Sequence, residues 1–74
     1  MLKKSVIIAG RHNTSISLEK EFMEELQNIA DEKDITLNEL ITRIDSERTY
    51  SNLSSAVRVF ILKYLKEQQK NNTL

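Results

Sequence analysis

Apolar and polar residues alternate along residues 11–18, and this alternation predicts a β-strand. Ile16 and Leu18 share one face, because successive side chains of a strand point to opposite sides. The other face consists of Asn13, Ser15 and Ser17. No later segment alternates in this way, so we expect one short strand in a mostly helical chain. A lone strand leaves backbone N–H and C=O groups unpaired, and the simplest partner for it is the same strand of a second copy.

Three later stretches show the periodicity of amphipathic helices. The first covers about residues 19–33 and has acids in its first turn, where the helix dipole favours negative charge. The second starts at Thr36, where the sequence Thr-Leu-Asn-Glu predicts a capping box between the Thr36 hydroxyl and the Glu39 carboxylate. The third covers about residues 52–68 and begins at an Asn, which is a favourable N-cap.

We divide the chain into a basic, β-prone N-terminal arm (1–10), a domain of strand and helices (11–68) and a frayed tail (69–74). Gly10 is the only Gly and permits a bend. An intrachain hairpin through Ala9-Gly10-Arg11 is therefore the alternative to a ribbon made by two copies. We favour the ribbon made by two copies, because Asn-Gly and Asp-Gly are the stronger hairpin signals.

Composition narrows the classes of function. A chain of 74 residues without Cys is one small domain that neither disulfides nor a Cys-type zinc site can stabilise, and this favours dimerisation. With one His and no Ser-His-Asp set, Gly-rich phosphate loop or metal-ligand spacing, we predict no enzyme, no metal and no cofactor. Neither a membrane span of about 20 apolar residues nor a secretory signal is found, so we expect no membrane contact and a cytoplasmic location.

Charge is unevenly distributed, although the formal net charge is zero. The first 18 residues carry three bases and no acid, residues 19–47 carry ten acids and three bases, and residues 48–74 carry five bases and one acid. This predicts one edge that faces a polyanion and one solvated back. The alternative for the acidic block is that it only maintains solubility. In the third predicted helix, Arg58 stands among apolar neighbours, and we expect it to pair with an acid such as Asp45.

This order of strand, acidic helix start, tight turn and capped helix resembles the ribbon-helix-helix family of bacterial DNA-binding proteins, the superfamily of the Arc and MetJ repressors. That resemblance covers residues 11–44. A longer pattern resembles a subgroup of small ribbon-helix-helix proteins with a third helix. It consists of Ala9-Gly10-Arg11, Thr14-Ser15-Ile16-Ser17-Leu18-Glu19, Phe22, Leu26, Ile29-Ala30, Leu40-Ile41, Ile44-Asp45 and Asn52-Leu53-Ser54-Ser55-Ala56-Val57-Arg58.

The resemblance implies an intertwined homodimer whose two strands pair into an intermolecular antiparallel ribbon that enters the DNA major groove. The base contacts that it implies are Asn13, Ser15 and Ser17. It also implies a phosphate site at the start of the second helix, formed by Thr36, Leu37 and Asn38. Further phosphate contacts are expected from the basic residues Lys3, Lys4 and Arg11.

From these features we predict a homodimeric transcriptional regulator of the repressor type that binds double-stranded DNA in the bacterial nucleoid. The alternative is a dimeric interaction module that binds a protein partner, as antitoxins of this superfamily do. The few residues after the third helix argue against that alternative, because a segment that wraps around a partner is usually longer. A small enzyme has almost no support in the sequence.

Overall fold

A two-stranded antiparallel ribbon followed by three helices forms the chain in the computed structural model, which describes residues 1–49 and 51–71. The elements, in order, are β1 (Leu2–Ile8), β2 (His12–Leu18), α1 (Lys20–Glu32), α2 (Leu37–Glu47) and α3 (Leu53–Asn71).

The partner of β2 is β1 of the same chain. Their register runs from Leu2 opposite Leu18 to Ile8 opposite His12. The prediction of a single strand is therefore wrong, and most of the predicted arm is a strand. Pairing within the chain buries Val6 and Ile8 beside the apolar residues of β2, which is the physical reason for the hairpin. The ribbon is thus intramolecular in this structure, whereas the homodimer and its intertwining stay predictions.

The hairpin loop has left-handed backbone at two successive residues. Ala9 and Gly10 have φ angles of 54° and 70°, and the central residues of a type I′ turn both need positive values. The Arg11 N–H closes the turn by donating to the Ile8 C=O at 3.1 Å. Gly adopts this conformation freely, whereas the Cβ atom of Ala opposes it. Ala9 is held there in part because its N–H donates to Thr42 Oγ1 at 3.1 Å.

The helix ends follow the signals in the sequence. Thr36 is the N-cap of α2, and both hydrogen bonds of the predicted capping box are present. The Ser55 N–H donates to Asn52 Oδ1 at 3.1 Å, which caps α3 as predicted. After α1, Asp34 has a φ of 57° and reverses the chain, so the connection to α2 is as short as the sequence indicates.

The third helix is longer than predicted. It continues through Asn71, so the first residues of the predicted frayed tail are helical, and the remainder of that tail (72–74) lies outside the described residues. No helix in the described ranges is long and apolar enough to cross a membrane.

One hydrophobic core joins the ribbon to all three helices. It consists of Val6, Ile8, Ile16, Leu18, Leu26, Ile29, Ala30, Leu40, Ile41, Ile44, Ala56, Val57 and Ile61. Each buried side chain of the size of Leu or Ile contributes about 1.5–3 kcal/mol, so the inward residues of the ribbon attach it firmly to the helices. One face of the ribbon is closed by this packing, and the other is left for solvent or a ligand.

We expect Ala9→Gly to raise the melting temperature. The substitution removes the Cβ atom that opposes a positive φ, a gain of about 1 kcal/mol, which corresponds to a few degrees in a domain of this size. Thermal unfolding followed by circular dichroism measures the change.

The matched variant is Gly10→Ala, at the neighbouring position of the same loop. No atom lies within 4 Å of the Cβ that it would add, so its expected loss of stability comes from the positive φ alone. A melting temperature that falls on Ala9→Gly would contradict the loop conformation described above.

Candidate nucleic-acid interface

The face of the ribbon that points away from the helices is largely polar. This outer face consists of three cross-strand pairs: Lys3 with Ser17, Ser5 with Ser15, and Ile7 with Asn13. Opposite residues of an antiparallel pair have Cβ atoms about 4.5–5.5 Å apart, so the six side chains form one continuous surface. It carries one cation and no acid. A two-stranded ribbon is also one of the shapes that the major groove of DNA admits.

All three predicted base contacts lie on the outer face. Asn13 and Ser15 are exposed, whereas Ser17 is half-buried. The start of α3 packs beside Ser17, where Ser54 Oγ accepts the Ser17 N–H at 3.1 Å. The structure therefore brings the three residues together on one surface, and their role in reading bases stays a prediction.

The three basic residues predicted to contact phosphate occupy different places on the ribbon. Lys3 lies on the outer face, Lys4 lies opposite Ile16 on the inward side near the open end of the ribbon, and Arg11 lies in the hairpin loop. All three are exposed. None of them forms an ion pair with another residue in the part of the chain that the structure describes. Both ends of the ribbon therefore present positive charge to an approaching anion.

The first turn of α2 lies along the edge of β1. Asn38 Oδ1 accepts the Ile7 N–H at 3.3 Å, and one turn later Thr42 Oγ1 accepts the Ala9 N–H. Between the hairpin loop and this helix runs an open groove, and Glu39 contributes to its lining. The predicted phosphate site at this helix start consists of Thr36, Leu37 and Asn38. These residues therefore flank the ribbon, close to the loop end of the outer face.

The start of α2 already holds a negative group. The Thr36 hydroxyl accepts the Glu39 N–H at 3.1 Å, and Glu39 Oε1 accepts the Thr36 N–H at 3.2 Å. The N–H groups of Leu37 and Asn38 belong to the first turn, which has no intrahelical acceptor for them. A phosphate near them would gain from the helix dipole and would be repelled by the Glu39 carboxylate.

A family model described as a ribbon-helix-helix domain matches residues 1–65, a range that includes both strands, α1, α2 and most of α3. The chain belongs to the ribbon-helix-helix family. Ribbon-helix-helix domains are generally DNA-binding regulators, bind DNA as dimers and are typically not enzymes. No curated protein and no solved structure matches this chain. The family match confirms the resemblance that the sequence shows.

In this ribbon-helix-helix protein, α3 is fixed to the ribbon by an arginine whose partner the sequence did not indicate. Arg58 Nε donates to Glu19 Oε1 at 2.9 Å, and a second guanidinium nitrogen donates to the Ser17 C=O at 3.3 Å. Asp45 pairs instead with Arg48 at 2.9 Å. The predicted pair of Arg58 and Asp45 is therefore wrong, because α3 directs Arg58 towards the junction of β2 and α1.

The surroundings of Glu19 lower the pKa of its carboxyl group. It accepts its own backbone N–H and the Arg58 guanidinium, and both hold the pKa of Glu19 below the ordinary value of 4.5. A lowered pKa in the folded state means that this contact stabilises the fold above the ordinary pKa and that the contribution is lost as the pH falls through the lowered pKa. The Glu19 side chain is 46% exposed, so solvent screens the pair and keeps its contribution small.

Sequence reasoning missed the part of the outer face that β1 supplies. Ser5 and Ile7 lie there, and Ile7 is 44% exposed although it is apolar. The run Val6-Ile7-Ile8 conceals the alternation of buried and exposed positions, because its middle residue belongs to the exposed side. The signal that was present is the spacing of Val6 and Ile8, which equals that of Ile16 and Leu18.

Proposed function

We propose that this ribbon-helix-helix protein binds double-stranded DNA as a homodimer, with the outer face of the ribbon in the major groove, and that it acts as a transcriptional regulator. The observation that carries the proposal is the contrast between the two faces of the ribbon. Four inward side chains (Val6, Ile8, Ile16 and Leu18) are buried in the core. The outer face is polar except for Ile7, free of acids and of the right width for the groove.

The placement of charge supports DNA as the ligand. The ten acids of residues 19–47 belong to α1, α2 and the segments that flank these helices, and the helices pack against the inward face of the ribbon. The ribbon itself carries only basic charges, from Lys3, Lys4 and Arg11. A polyanion is therefore attracted to the ribbon and repelled from the helical back.

Within the ribbon, Asn13 has the side chain best suited to reading a base. Its amide offers both a donor and an acceptor and matches the N6 and N7 atoms of adenine in the major groove. Ser15 and Ser17 bond to several bases and discriminate weakly. We assign phosphate contacts to the basic residues near the ends of the ribbon and to the first turn of α2.

We expect duplex binding to weaken steeply with salt. If about 6–8 phosphates are neutralised, the slope of log affinity against log salt is about −5 to −7.

Asn13→Ala is expected to relax the base preference that a selection from random duplexes reveals. The matched control, His12→Ala, changes an exposed neighbour on the inward side of the same strand and should leave that preference unchanged.

Fluorescence anisotropy with the selected duplex measures the salt dependence, and the selection itself measures the base preference. Binding that hardly responds to salt contradicts the proposal, and so does an unchanged base preference in the Asn13→Ala variant. A protein partner that co-purifies in fixed stoichiometry, together with a failure to bind any duplex, would favour the interaction module instead.

Glu39→Gln is expected to raise the affinity for every duplex by about two- to fivefold, the effect of removing one charge from a helix terminus. Gln preserves the capping box, so the stability of α2 should change little. Glu47→Gln is the matched control, because it neutralises a carboxylate about 12 Å further along the same helix. Equal affinities of the Glu39→Gln variant and the wild type would place the phosphate contacts away from this helix start.

We expect two copies of the chain in solution at micromolar concentration and two copies on each duplex. Two symmetric halves also imply a palindromic or repeated site. Sedimentation equilibrium of the free protein and of its complex with DNA gives both numbers. A monomer under both conditions would refute the homodimer.

A further inference from the structure

We infer that Lys3 contacts the edge of a guanine base, so that β1 as well as β2 takes part in sequence recognition. The inference rests on the proposed function, because it requires the outer face to lie in the major groove. For Lys3 alone, it replaces the phosphate contact that was assigned above to the basic residues of the ribbon. The observation behind it is the register of the ribbon, which separates two adjacent lysines.

The register places Lys3 opposite Ser17 and Lys4 opposite Ile16. Ser17 belongs to the outer face and Ile16 to the core, so the two lysines point to opposite sides of the ribbon. Lys3 therefore stands beside the predicted base contacts, whereas Lys4 points towards the side that the helices occupy. If both lysines only bound phosphates, the side of the ribbon on which each lies would not matter. A contact with a base is open only to the lysine on the outer face, which is Lys3.

The neighbours of Lys3 leave its ammonium group available for a base. A shallow depression is lined by Lys3, Ser5, Asn13 and Ser15 of the outer face and by the neighbouring Thr14, and every member of this set is polar. Lys3 forms no ion pair with any described residue, so no internal contact has to break when it binds. It is also the longest polar side chain on the outer face, and a lysine there donates to the O6 and N7 atoms of guanine.

The edges of the ribbon indicate that β1 enters the groove together with β2. Asn38 and Thr42 bond to backbone N–H groups on the β1 side, and Ser54 and Arg58 bond to the backbone of Ser17 on the β2 side. These contacts occupy edge groups of Ile7, Ala9 and Ser17, and they hold both strands on the helices as one unit. The two strands of one hairpin lie about 4.8 Å apart, and a ribbon of two strands fits a groove about 12 Å wide.

Lys3→Ala and Lys4→Ala form the decisive pair of variants, because both positions are exposed and adjacent. Selection from random duplexes with wild type is expected to yield a guanine at one fixed position. Lys3→Ala should reduce the preference for that guanine about tenfold and leave the other positions unchanged. Lys3→Arg should retain it, since arginine makes the same contact. Lys4→Ala should keep the preference and weaken all duplexes alike, with a salt slope reduced by about 1.

The outcomes separate the inference from the proposed function. If Lys3→Ala weakens all duplexes alike and reduces the salt slope as Lys4→Ala does, Lys3 contacts a phosphate and the inference is wrong while DNA binding stands. The same holds if the guanine preference survives in Lys3→Ala. If wild type binds no duplex at all, the proposed function itself fails. Circular dichroism of each variant identifies any loss of fold before binding is compared.

Discussion

Burial of one face of the hairpin is the constraint on which both the fold and the candidate interface depend. Val6, Ile8, Ile16 and Leu18 pack against the helices, and this packing attaches the ribbon to the rest of the chain. Because side chains alternate along a strand, the same packing determines which residues face solvent. A shift of one residue in the pairing would exchange the two faces completely. The polar outer face is therefore a consequence of the core.

The helices also hold the ribbon at its edges, through side chains that bond to the strand backbone. Asn38 and Thr42 of α2 accept N–H groups from β1 and from the loop, and Ser54 and Arg58 of α3 bond to Ser17. These bonds satisfy backbone groups that would otherwise attract a further strand. They also fix the position of the start of α2 relative to the outer face. In the proposed complex, the helix would therefore contact the DNA backbone at a fixed distance from the bases that the ribbon contacts.

The features that the sequence predicted well are local ones. A capping box needs only Thr36 and Glu39 at the right spacing, and the cap at Asn52 needs only its own side chain, so neither depends on the rest of the fold. The hairpin was only the alternative in the sequence analysis, because its loop places Ala9 in a conformation that Ala disfavours, and Thr42, the residue that helps to hold it there, lies more than thirty positions away. The partner of Arg58 was missed for the same reason.

In the candidate interface, too, the residues that local patterns indicate were predicted, and those that depend on long-range pairing were not. The outward positions of β2 followed from alternation alone, whereas those of β1 required knowledge of the register. The sequence analysis assigned Lys3 and Lys4 alike to a basic arm. Only the pairing of the two strands places them on opposite sides of the ribbon. Long-range pairing therefore decides which charge can approach a base.

Charge segregation in this protein follows from its topology, and Glu39 departs from it. The acids lie on or beside the helices behind the ribbon, yet Glu39 lies at the start of α2, which flanks β1, because the capping box needs a carboxylate or an amide there. A Gln would cap α2 without repelling phosphate. In the proposed complex, Glu39 makes the contribution of this helix start to DNA affinity smaller than the helix dipole would allow. The proposed recognition then depends more on contacts of the ribbon with bases, and less on a contact with the DNA backbone that is independent of base sequence.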